Sequence, residues 1–417
     1  MAALSPARER GLLWLLALTQ FTIIMDFMVM MPLGPQIMRA FAISPAAFAT
    51  AVSAYSWCSG LSGLFAATYI DRFDRRRLLL FIYGLFAISN LICAMAQNFH
   101  MLLLARAFAG LSGGVLASII MAIVSDIIPI QRRGAATGII MTAFSLAAIA
   151  GVPIGIVLGA HLGWFSPFYL LVVLSVLIWG AGACLVPSLR LHLQQAPVPL
   201  REILPALWQL LSNARHLRAF GLTFIMMVSH MMVIPFISPV LVENHAIAPQ
   251  QISWIYMAGG AATFFTSRRI GKLADRYGKH QLFRIMALFS IVPILFVTHL
   301  PAIPFWAIVA FFPVFMVAMS GRMIPLQALL TTVPAAEQRG AFLSVNSAIQ
   351  SMGNGCGAWL GGLLLTSSAS GQILGYGNNG WCAVLLLCLA LWWIGRVKAL
   401  RPPETDARPL ADVPAGH

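Results

Sequence analysis

Long apolar segments separated by short polar stretches run along the whole chain. A transmembrane helix needs about 20 apolar residues, because the hydrocarbon core is about 30 Å thick and a helix rises about 1.5 Å per residue. Segments of that length predict twelve transmembrane helices at approximately 11–33, 47–70, 78–97, 101–125, 136–160, 165–187, 219–242, 252–270, 282–300, 303–331, 341–366 and 380–397. None of them shows the alternation of a membrane β-barrel strand, so the pattern predicts an all-α membrane protein.

The composition supports a membrane protein and argues against a soluble enzyme. Of the 417 residues, 60% are hydrophobic and 9% are charged, whereas soluble domains carry about 25% charged residues. The chain has no Walker-type loop, no His-Glu-x-x-His and no Gly-x-Ser-x-Gly motif, so we expect neither ATP-driven transport nor an enzyme, and no cofactor. The six cysteines lie in apolar segments without metal-ligand spacing, so we expect reduced thiols and no metal site. The first segment lacks a small-residue cleavage site, which predicts a retained helix and no signal peptide.

The basic residues predict the topology. The net charge is +14, and all but three of the 26 lysines and arginines fall on the same side as the N-terminus or at the helix ends there. By the positive-inside rule, both termini lie in the cytoplasm of a multi-pass protein of the cell (inner) membrane. The excess charge therefore marks contact with the lipid bilayer, and we expect no nucleic-acid partner. We also expect a monomer. The three exceptions are Arg39 outside, and Arg106 and Arg322 within helices.

Two polar motifs repeat at nearly the same distance along the chain. Asp71-Arg72-Phe73 follows helix 2 and Asp275-Arg276-Tyr277 follows helix 8, at an offset of 204 residues. Arg133-Gly134-Ala135 after helix 4 returns as Arg339-Gly340-Ala341 after helix 10, at an offset of 206 residues. Two such repeats predict a pair of six-helix bundles in tandem with the same orientation.

The longest connection between predicted helices divides the chain. It contains three prolines and several basic residues, and the end of the chain is polar and proline-rich. We predict an N-terminal six-helix bundle, a cytoplasmic central loop, a C-terminal six-helix bundle and a disordered cytoplasmic tail, at 1–187, 188–218, 219–400 and 401–417 respectively.

Three motifs resemble those of a known family. The segment Gly-Lys-Leu-Ala-Asp-Arg-Tyr-Gly-Lys-His at 271–280 looks like the signature loop of the major facilitator superfamily; the first copy departs from it at Ala67 and Asp74. Arg106-Ala107-Phe108-Ala109-Gly110 resembles the buried arginine motif of helix 4 in that family. Gly151-Val152-Pro153-Ile154-Gly155 resembles the glycine and proline motif of proton-driven exporters. The resemblance implies the drug and sugar-efflux branch, in which two rocking bundles export small molecules in exchange for protons.

The signature loops are candidates for a conformational latch, meaning contacts that form in one arrangement of the bundles and break in the other. A carboxylate at a helix junction caps a neighbouring helix, and the arginines can pair with a carboxylate at the end of helix 4. The predicted latch residues are Asp71, Arg72, Asp126, Asp275 and Arg276. The alternative is anchoring to anionic lipid, which we expect for the arginines at 75–77.

An ionised side chain in mid-membrane costs at least about 2.5–3.5 kcal/mol, so each one requires a reason. Asp26 lies near the middle of helix 1, and we predict that it couples transport to protons. A carboxylate that is buried beside a cation can be balanced between binding and releasing a proton. Arg106 is its predicted counter-ion and a candidate substrate contact. The alternative is a static ion bridge that fixes helix packing.

His230 lies at an offset of 204 residues from Asp26 on the equivalent helix of the second half. We predict it as the second proton-coupling residue, against the alternative of a hydrogen-bonded packing residue. Arg322 in helix 10 is a candidate for holding an anionic part of a substrate, or for pairing with a helix-end carbonyl.

Helix 11 carries amides at a spacing of four, namely Asn346, Gln350 and Asn354, next to a glycine stripe at 353, 357 and 361. Residues at this spacing share one face of the helix. The amides are candidates for substrate contact or for interhelical hydrogen bonds, and the glycines for close helix packing.

The predicted function is proton-coupled efflux of small molecules such as drugs, sugars or metabolites by alternating access. One alternative is a proton symporter that imports a small, anionic metabolite held by Arg106 and Arg322. A third hypothesis, from another class, is a receptor or embedded enzyme on a transporter scaffold.

Overall fold

The computed structural model of the protein describes residues 5–129, 132–188, 205, 208–335 and 338–398. Much of the predicted central loop at 188–218 and the whole predicted tail at 401–417 lie outside the described residues. The helical prediction is confirmed, since the strands of the described part are a single two-stranded hairpin of Thr366–Ser367 and Ile373–Leu374.

Eight α-helices make up the first half of the chain. They are α1 (Pro6–Val29), α2 (Gly34–Phe41), α3 (Pro45–Tyr69), α4 (Arg75–Ala94), α5 (Phe99–Ile127), α6 (Arg133–Leu146), α7 (Val152–Leu162) and α8 (Ser166–Leu185). A 3-10 turn at Ile70–Arg72 follows α3, and a π-helical turn at Ala147–Gly151 joins α6 to α7.

Seven α-helices make up the described part of the second half. They are α9 (Ala214–Met231), α10 (Ile237–His245), α11 (Pro249–Tyr277), α12 (Lys279–Thr298), α13 (Phe305–Leu330), α14 (Arg339–Leu363) and α15 (Tyr376–Trp393). The 3-10 turns Ile234–Phe236 and Ile394–Arg396 follow α9 and α15. The order of long helices repeats that of the first half, with α9 and α10 in the places of α1 and α2.

Each of the twelve predicted segments lies on helix. Among the described residues, nine helical spans are long and apolar enough to cross a membrane, or ten if the bent pair Gly34–Phe41 and Pro45–Ala66 counts as one. The predicted segments 252–270 and 341–366 also form long helices, α11 and α14, but they are richer in polar residues.

Several helix boundaries differ from those predicted, for local reasons. Helix α1 begins five residues early because Ser5 Oγ accepts a hydrogen bond from Arg8 N at 3.4 Å and a proline occupies the first turn, which is a favourable helix start. Helix α9 begins at Ala214, where Asn213 Oδ1 accepts from Arg215 N at 2.9 Å. The first predicted span, 11–33, ends in a turn before α2, and Pro32 and Pro35 flank that break; proline interrupts a helical hydrogen-bond ladder.

Helix α14 packs against both halves of the molecule through its glycines. A Cβ at Gly357 would lie 2.6 Å from the carbonyl oxygen of Val228, and one at Gly361 would lie 2.9 Å from that of Met232, both at the C-terminal part of α9. On another face, a Cβ at Gly355 would lie 2.5 Å from the indole nitrogen of Trp57 on α3. The glycine stripe therefore serves close helix packing, as the sequence predicted.

We call the face of the molecule that carries Ser5 and Val397 the terminal face, and the face that carries Arg39 and Glu243 the opposite face. Asp26 and Arg106 lie between them, in the interior of the first half, since both side chains are almost fully buried.

Candidate functional site

The central feature of the first half is a buried ion pair. Arg106 Nη1 donates to Asp26 Oδ1 at 2.5 Å, and Arg106 Nη2 donates to the backbone oxygen of Asp26 at 3.4 Å. The side chains are 0% exposed for Asp26 and 1% exposed for Arg106. The pairing of helices 1 and 4 that the sequence predicted is therefore present in the structure.

The ion pair leaves two buried polar atoms unpaired. Asp26 Oδ2 and Arg106 Nε have no hydrogen-bond partner among the described residues. Buried polar groups are nearly always satisfied, and exceptions mark functional or strained positions. Asp26 Oδ2 is thus a buried carboxylate oxygen with an unused capacity to accept a hydrogen bond.

An aromatic residue that the sequence did not assign to the pair completes its surroundings. The guanidinium of Arg106 lies 4.4 Å from the ring centroid of Tyr55 on α3, a cation–π contact,. The Tyr55 hydroxyl donates to the carbonyl of Ile23, one turn before Asp26, at 3.4 Å. Tyr55 therefore links α3 to both partners of the ion pair.

The glycine and proline motif lies beside the helix that carries Asp26. It forms the π-helical turn at Ala147–Gly151 and the start of α7. Proline has no N–H to donate to the preceding turn, which explains why regular α-helix is interrupted just before Pro153. A Cβ at Gly155 would overlap the side chain of Val29, and one at Gly151 would lie 3.3 Å from Met25. This close approach fixes α1 on either side of Asp26.

The second half has a different arrangement on the equivalent helices. Arg322 on α13 is 0% exposed, and Nη1 donates a long hydrogen bond of 3.4 Å to Ser290 Oγ. Among the described residues, its Nε and Nη2 have no partner, and neither does the buried Nδ1 of His230 on α9. The second half therefore holds a buried guanidinium without an acidic partner in the described part of the chain.

The three amides of helix 11, now α14, have separate environments. Asn346 is buried, and its Oδ1 accepts from Thr223 Oγ1 of α9 at 2.8 Å, so it bonds two helices together. Gln350 is partly buried. Asn354 has a buried Oδ1 without a partner among the described residues, so this oxygen can accept a hydrogen bond from a ligand.

The first signature loop forms an ion-pair cluster at the terminal face. Arg75 binds Asp71 at 2.6 Å and Asp126 at 2.9 Å, and its side chain is 4% exposed. The predicted carboxylates Asp71 and Asp126 therefore meet through one arginine. That arginine is Arg75 and not Arg72, which is exposed at the surface. The expectation that Arg75 anchors the loop to lipid is wrong, because the side chain is enclosed by the loop and the end of α5.

The second signature loop does not reproduce this cluster. Asp275 and Arg276 are exposed at the end of α11, and the guanidinium of Arg276 lies 5.4 Å from the ring centroid of Tyr277. Lys279 and Thr332 occupy the positions equivalent to Arg75 and Asp126. Without a second carboxylate at the helix end, the loop cannot build the same bridge.

Contacts that join the two halves at the opposite face were missed by the sequence reasoning. Arg39 on α2 binds Glu243 on α10 at 2.9 Å, and Ser238 Oγ donates to the carbonyl of Pro32 at 2.8 Å. A signal was present, since Arg39 and Glu243 are separated by the repeat offset of 204 residues.

Similar proteins match most of the length of the chain. It is 24% identical over 370 residues to a protein named probable sugar efflux transporter from Helicobacter acinonychis, with 86% of this chain and 87% of that protein covered. It is 25% identical to a protein of the same name from Mannheimia succiniciproducens, with 82% of each chain covered. The resemblance to the efflux branch that the sequence motifs indicated is thereby confirmed.

Solved structures share the fold. A bacterial homologue of the human lysosomal transporter Spinster, in an inward-facing and unoccupied conformation, matches with a TM-score of 0.77 at 16% identity, covering 94% of this chain and 97% of that one. A D-xylose-proton symporter matches with a TM-score of 0.72 at 16% identity, covering 94% and 99%.

The family model described as Major Facilitator Superfamily matches the chain twice in tandem, over residues 16–218 and 219–415. This confirms the predicted fold of two repeated helical bundles. The chain therefore belongs to the major facilitator superfamily and is a multi-pass membrane transporter, not an enzyme.

Proposed function

We propose that the protein exports a small molecule in exchange for protons, with Asp26 as the proton-coupling residue. The observation that carries the proposal is the enclosed Asp26–Arg106 pair with Asp26 Oδ2 unpaired. The names of the relatives from Helicobacter and Mannheimia support efflux, and we therefore test sugars and sugar-like metabolites first.

The geometry supports a simple coupling mechanism. Protonation of Asp26 removes the negative charge that neutralises Arg106, and an unpaired buried guanidinium is unfavourable. The protonated state therefore favours a rearrangement in which Arg106 meets solvent or a substrate group. Loss of the proton restores the ion pair. Proton and substrate are exchanged if a proton on Asp26 and a substrate group on Arg106 are not released at the same step.

The orientation of the protein decides the direction of export. We propose that both termini lie in the cytoplasm of the inner membrane, which the distribution of lysine and arginine supports. The terminal face is then cytoplasmic. The contacts of Arg39 with Glu243 and of Ser238 with Pro32 close the opposite, external face in this structure.

The test compares Asp26→Asn with the wild-type protein in proteoliposomes under an imposed pH gradient. Labelled glucose, xylose and gluconate serve as probes, and each is measured both as gradient-driven accumulation and as exchange without a gradient. We expect the wild type to move a probe opposite to the proton flow, and Asp26→Asn to lose accumulation while it keeps exchange.

Glu9→Gln is the matched control, because Glu9 is also paired with an arginine, Arg132 at 2.6 Å, but lies near the terminal face in a pair that stays within the first half. It should keep proton-driven accumulation. Full accumulation by Asp26→Asn would refute the role of Asp26, and movement in the same direction as protons would identify a symporter instead.

A further inference from the structure

Each half buries one arginine, but the two arginines differ in their partners. In the first half, Arg106 on α5 is neutralised by Asp26 on α1. In the second half, Arg322 on α13 is 0% exposed and has one long hydrogen bond, to the Ser290 hydroxyl. A hydroxyl cannot neutralise a guanidinium, so the second half has one buried positive charge in excess.

Acidic side chains of the second half do not compensate for this charge. Its described acidic residues are Glu243 and Asp275, which lie at opposite ends of the helices. Glu243 pairs with Arg39, and Asp275 is exposed at the end of α11. Within the described part of the chain, no carboxylate lies within ion-pair distance of Arg322. A buried charge without a partner is strongly unfavourable, so the site has a reason to accept a negative charge from outside the chain.

The unpaired atoms of Arg322 define what the site can bind. Nη1 is the nitrogen that reaches Ser290, and the free nitrogens are Nε and Nη2. These two lie on the same edge of the planar guanidinium, with their N–H groups parallel. That edge fits two oxygens of one carboxylate or phosphate in a bidentate contact.

We propose that the second half binds an oxyanion group of the transported molecule, a carboxylate or a phosphate, through the Nε and Nη2 edge of Arg322. The proposal rests on the protein being a transporter of small molecules and specifies the chemical class of its substrate. A neutral sugar would leave the charge of Arg322 uncompensated, whereas a sugar acid or a sugar phosphate would neutralise it. The first half needs no such group because Asp26 supplies it.

The test measures binding at equilibrium in detergent, without any gradient, so that failure of proton coupling cannot affect it. The melting temperature of the purified protein is followed against glucose, gluconate, acetate and inorganic phosphate, with sodium chloride at equal ionic strength as reference. We expect at least one of the three oxyanions to raise the melting temperature, and glucose to leave it at the reference value.

Variants assign the effect to Arg322. Arg322→Gln should weaken the apparent affinity about ten-fold or more, because hydrogen bonds to a charged group are lost. The matched control is Arg132→Gln, which removes a guanidinium that pairs with Glu9 within the first half and should keep wild-type affinity.

Two results would overturn the proposal. One is that none of the three oxyanions protects the wild-type protein beyond chloride. The other is that Arg322→Gln is protected as strongly as the wild type. Either result can be observed while proton-driven transport still depends on Asp26. The binding experiment therefore tests the oxyanion site separately from the proposal of proton coupling.

Discussion

At the scale of single residues, Arg106 and Arg322 are buried to the same degree but stand in opposite energetic situations. Arg106 has a carboxylate partner, whereas Arg322 has one long hydrogen bond to a serine hydroxyl. Removing one partner of a buried ion pair costs about 3–5 kcal/mol, because the other charge is left unpaired. Removing a charge that is already unpaired relieves an unfavourable burial.

We therefore expect the variants to change stability in opposite directions. Asp26→Asn should lower the free energy of unfolding by about 3–5 kcal/mol, since it leaves Arg106 alone. Arg106→Gln should lower it less, because the remaining carboxyl can take up a proton and become neutral. Arg322→Gln should raise the melting temperature of the unliganded protein. Thermal and denaturant unfolding of purified protein in detergent measure all three.

Arg39→Gln is the reference for this series. Its ion pair is half exposed, with the side chain of Arg39 57% accessible, and such pairs contribute about 0–1 kcal/mol. A larger loss for Arg39→Gln than for Asp26→Asn would contradict the energetic ranking, as would a lower melting temperature for Arg322→Gln.

The sequence identified the ionisable residues in the apolar segments, but it identified fewer of the residues that contact them. Asp26 and Arg106 stood out because charge is rare in apolar segments, and the repeat offset identified His230. The cation–π contact of Tyr55 and the pairing of Arg75 in place of Arg72 escaped prediction. Both contacts depend on how one helix is rotated about its axis relative to its neighbour. That rotation is not determined by the residues next to each position in the chain.

At the scale of helices, the segment from α6 to α7 shows how a short motif positions the site. The π-helical turn at Ala147–Gly151 contacts the second half, since a Cβ at Gly260 on α11 would lie 2.9 Å from the carbonyl oxygen of Ala148. Next to it, Gly155 receives the side chain of Val29 at the end of α1. π-helical turns are frequent at functional sites. This one lies between α1, which carries Asp26, and α11 of the second half.

Two glycine substitutions on this segment should therefore have different effects. Gly155→Ala places a methyl group into Val29, so it should displace α1 and lower both thermal stability and gradient-driven transport. Overpacking of this kind typically costs about 1–3 kcal/mol. Melting temperature and proteoliposome transport are the measurements.

Gly138→Ala on α6 is the matched control, because a Cβ there has no neighbour within 4 Å. It should leave transport unchanged and raise stability by up to about 1 kcal/mol through helix propensity. Equal behaviour of the two variants would show that the approach of α7 to α1 does not position Asp26.

Sequence periodicity predicted the existence of the helices but not their breaks. Every predicted span lies on helix, because about 20 apolar residues leave few alternatives in a membrane. The turn between α1 and α2, the equivalent turn at Ile234–Phe236 and the hairpin of Thr366–Ser367 with Ile373–Leu374 were not predicted. Prolines lie at the first two of these turns, Pro32 and Pro35 at one and Pro235 at the other, but prolines also lie within α12 and α13 without ending them.

At the scale of the whole molecule, the halves meet through residues that are equivalent in the repeat. Arg39 contacts Glu243 at the repeat offset of 204 residues, and Pro32 contacts Ser238, which lies two residues after the position equivalent to Pro32. Contact between equivalent positions is the property of a two-fold axis. The approximate axis that relates the halves therefore passes between α2 and α10 at the opposite face.

Contacts on this axis should control opening of the opposite face. Arg39→Glu places two carboxylates against each other and should favour the open state, while the exchange Arg39→Glu with Glu243→Arg should restore closure. The expected shift in population is up to about five-fold, since a half-exposed pair contributes at most about 1 kcal/mol. The accessibility of a cysteine in Ser53→Cys reports the population of the open state. Ser53 is buried between the halves, where it donates to the carbonyl of Gly355 at 2.8 Å.

The measurement is the rate at which a membrane-impermeant maleimide labels Ser53→Cys from the opposite face, with the six native cysteines replaced by alanine. Labelling should accelerate in Arg39→Glu and return to the original rate in the double exchange. Ser370→Cys, exposed in the hairpin loop, is the control and should react equally in every background. An unchanged rate in Arg39→Glu would mean that the axis contact does not hold the face closed. Acceleration that persists in the double exchange would mean that the arginine acts through something other than its charge partner.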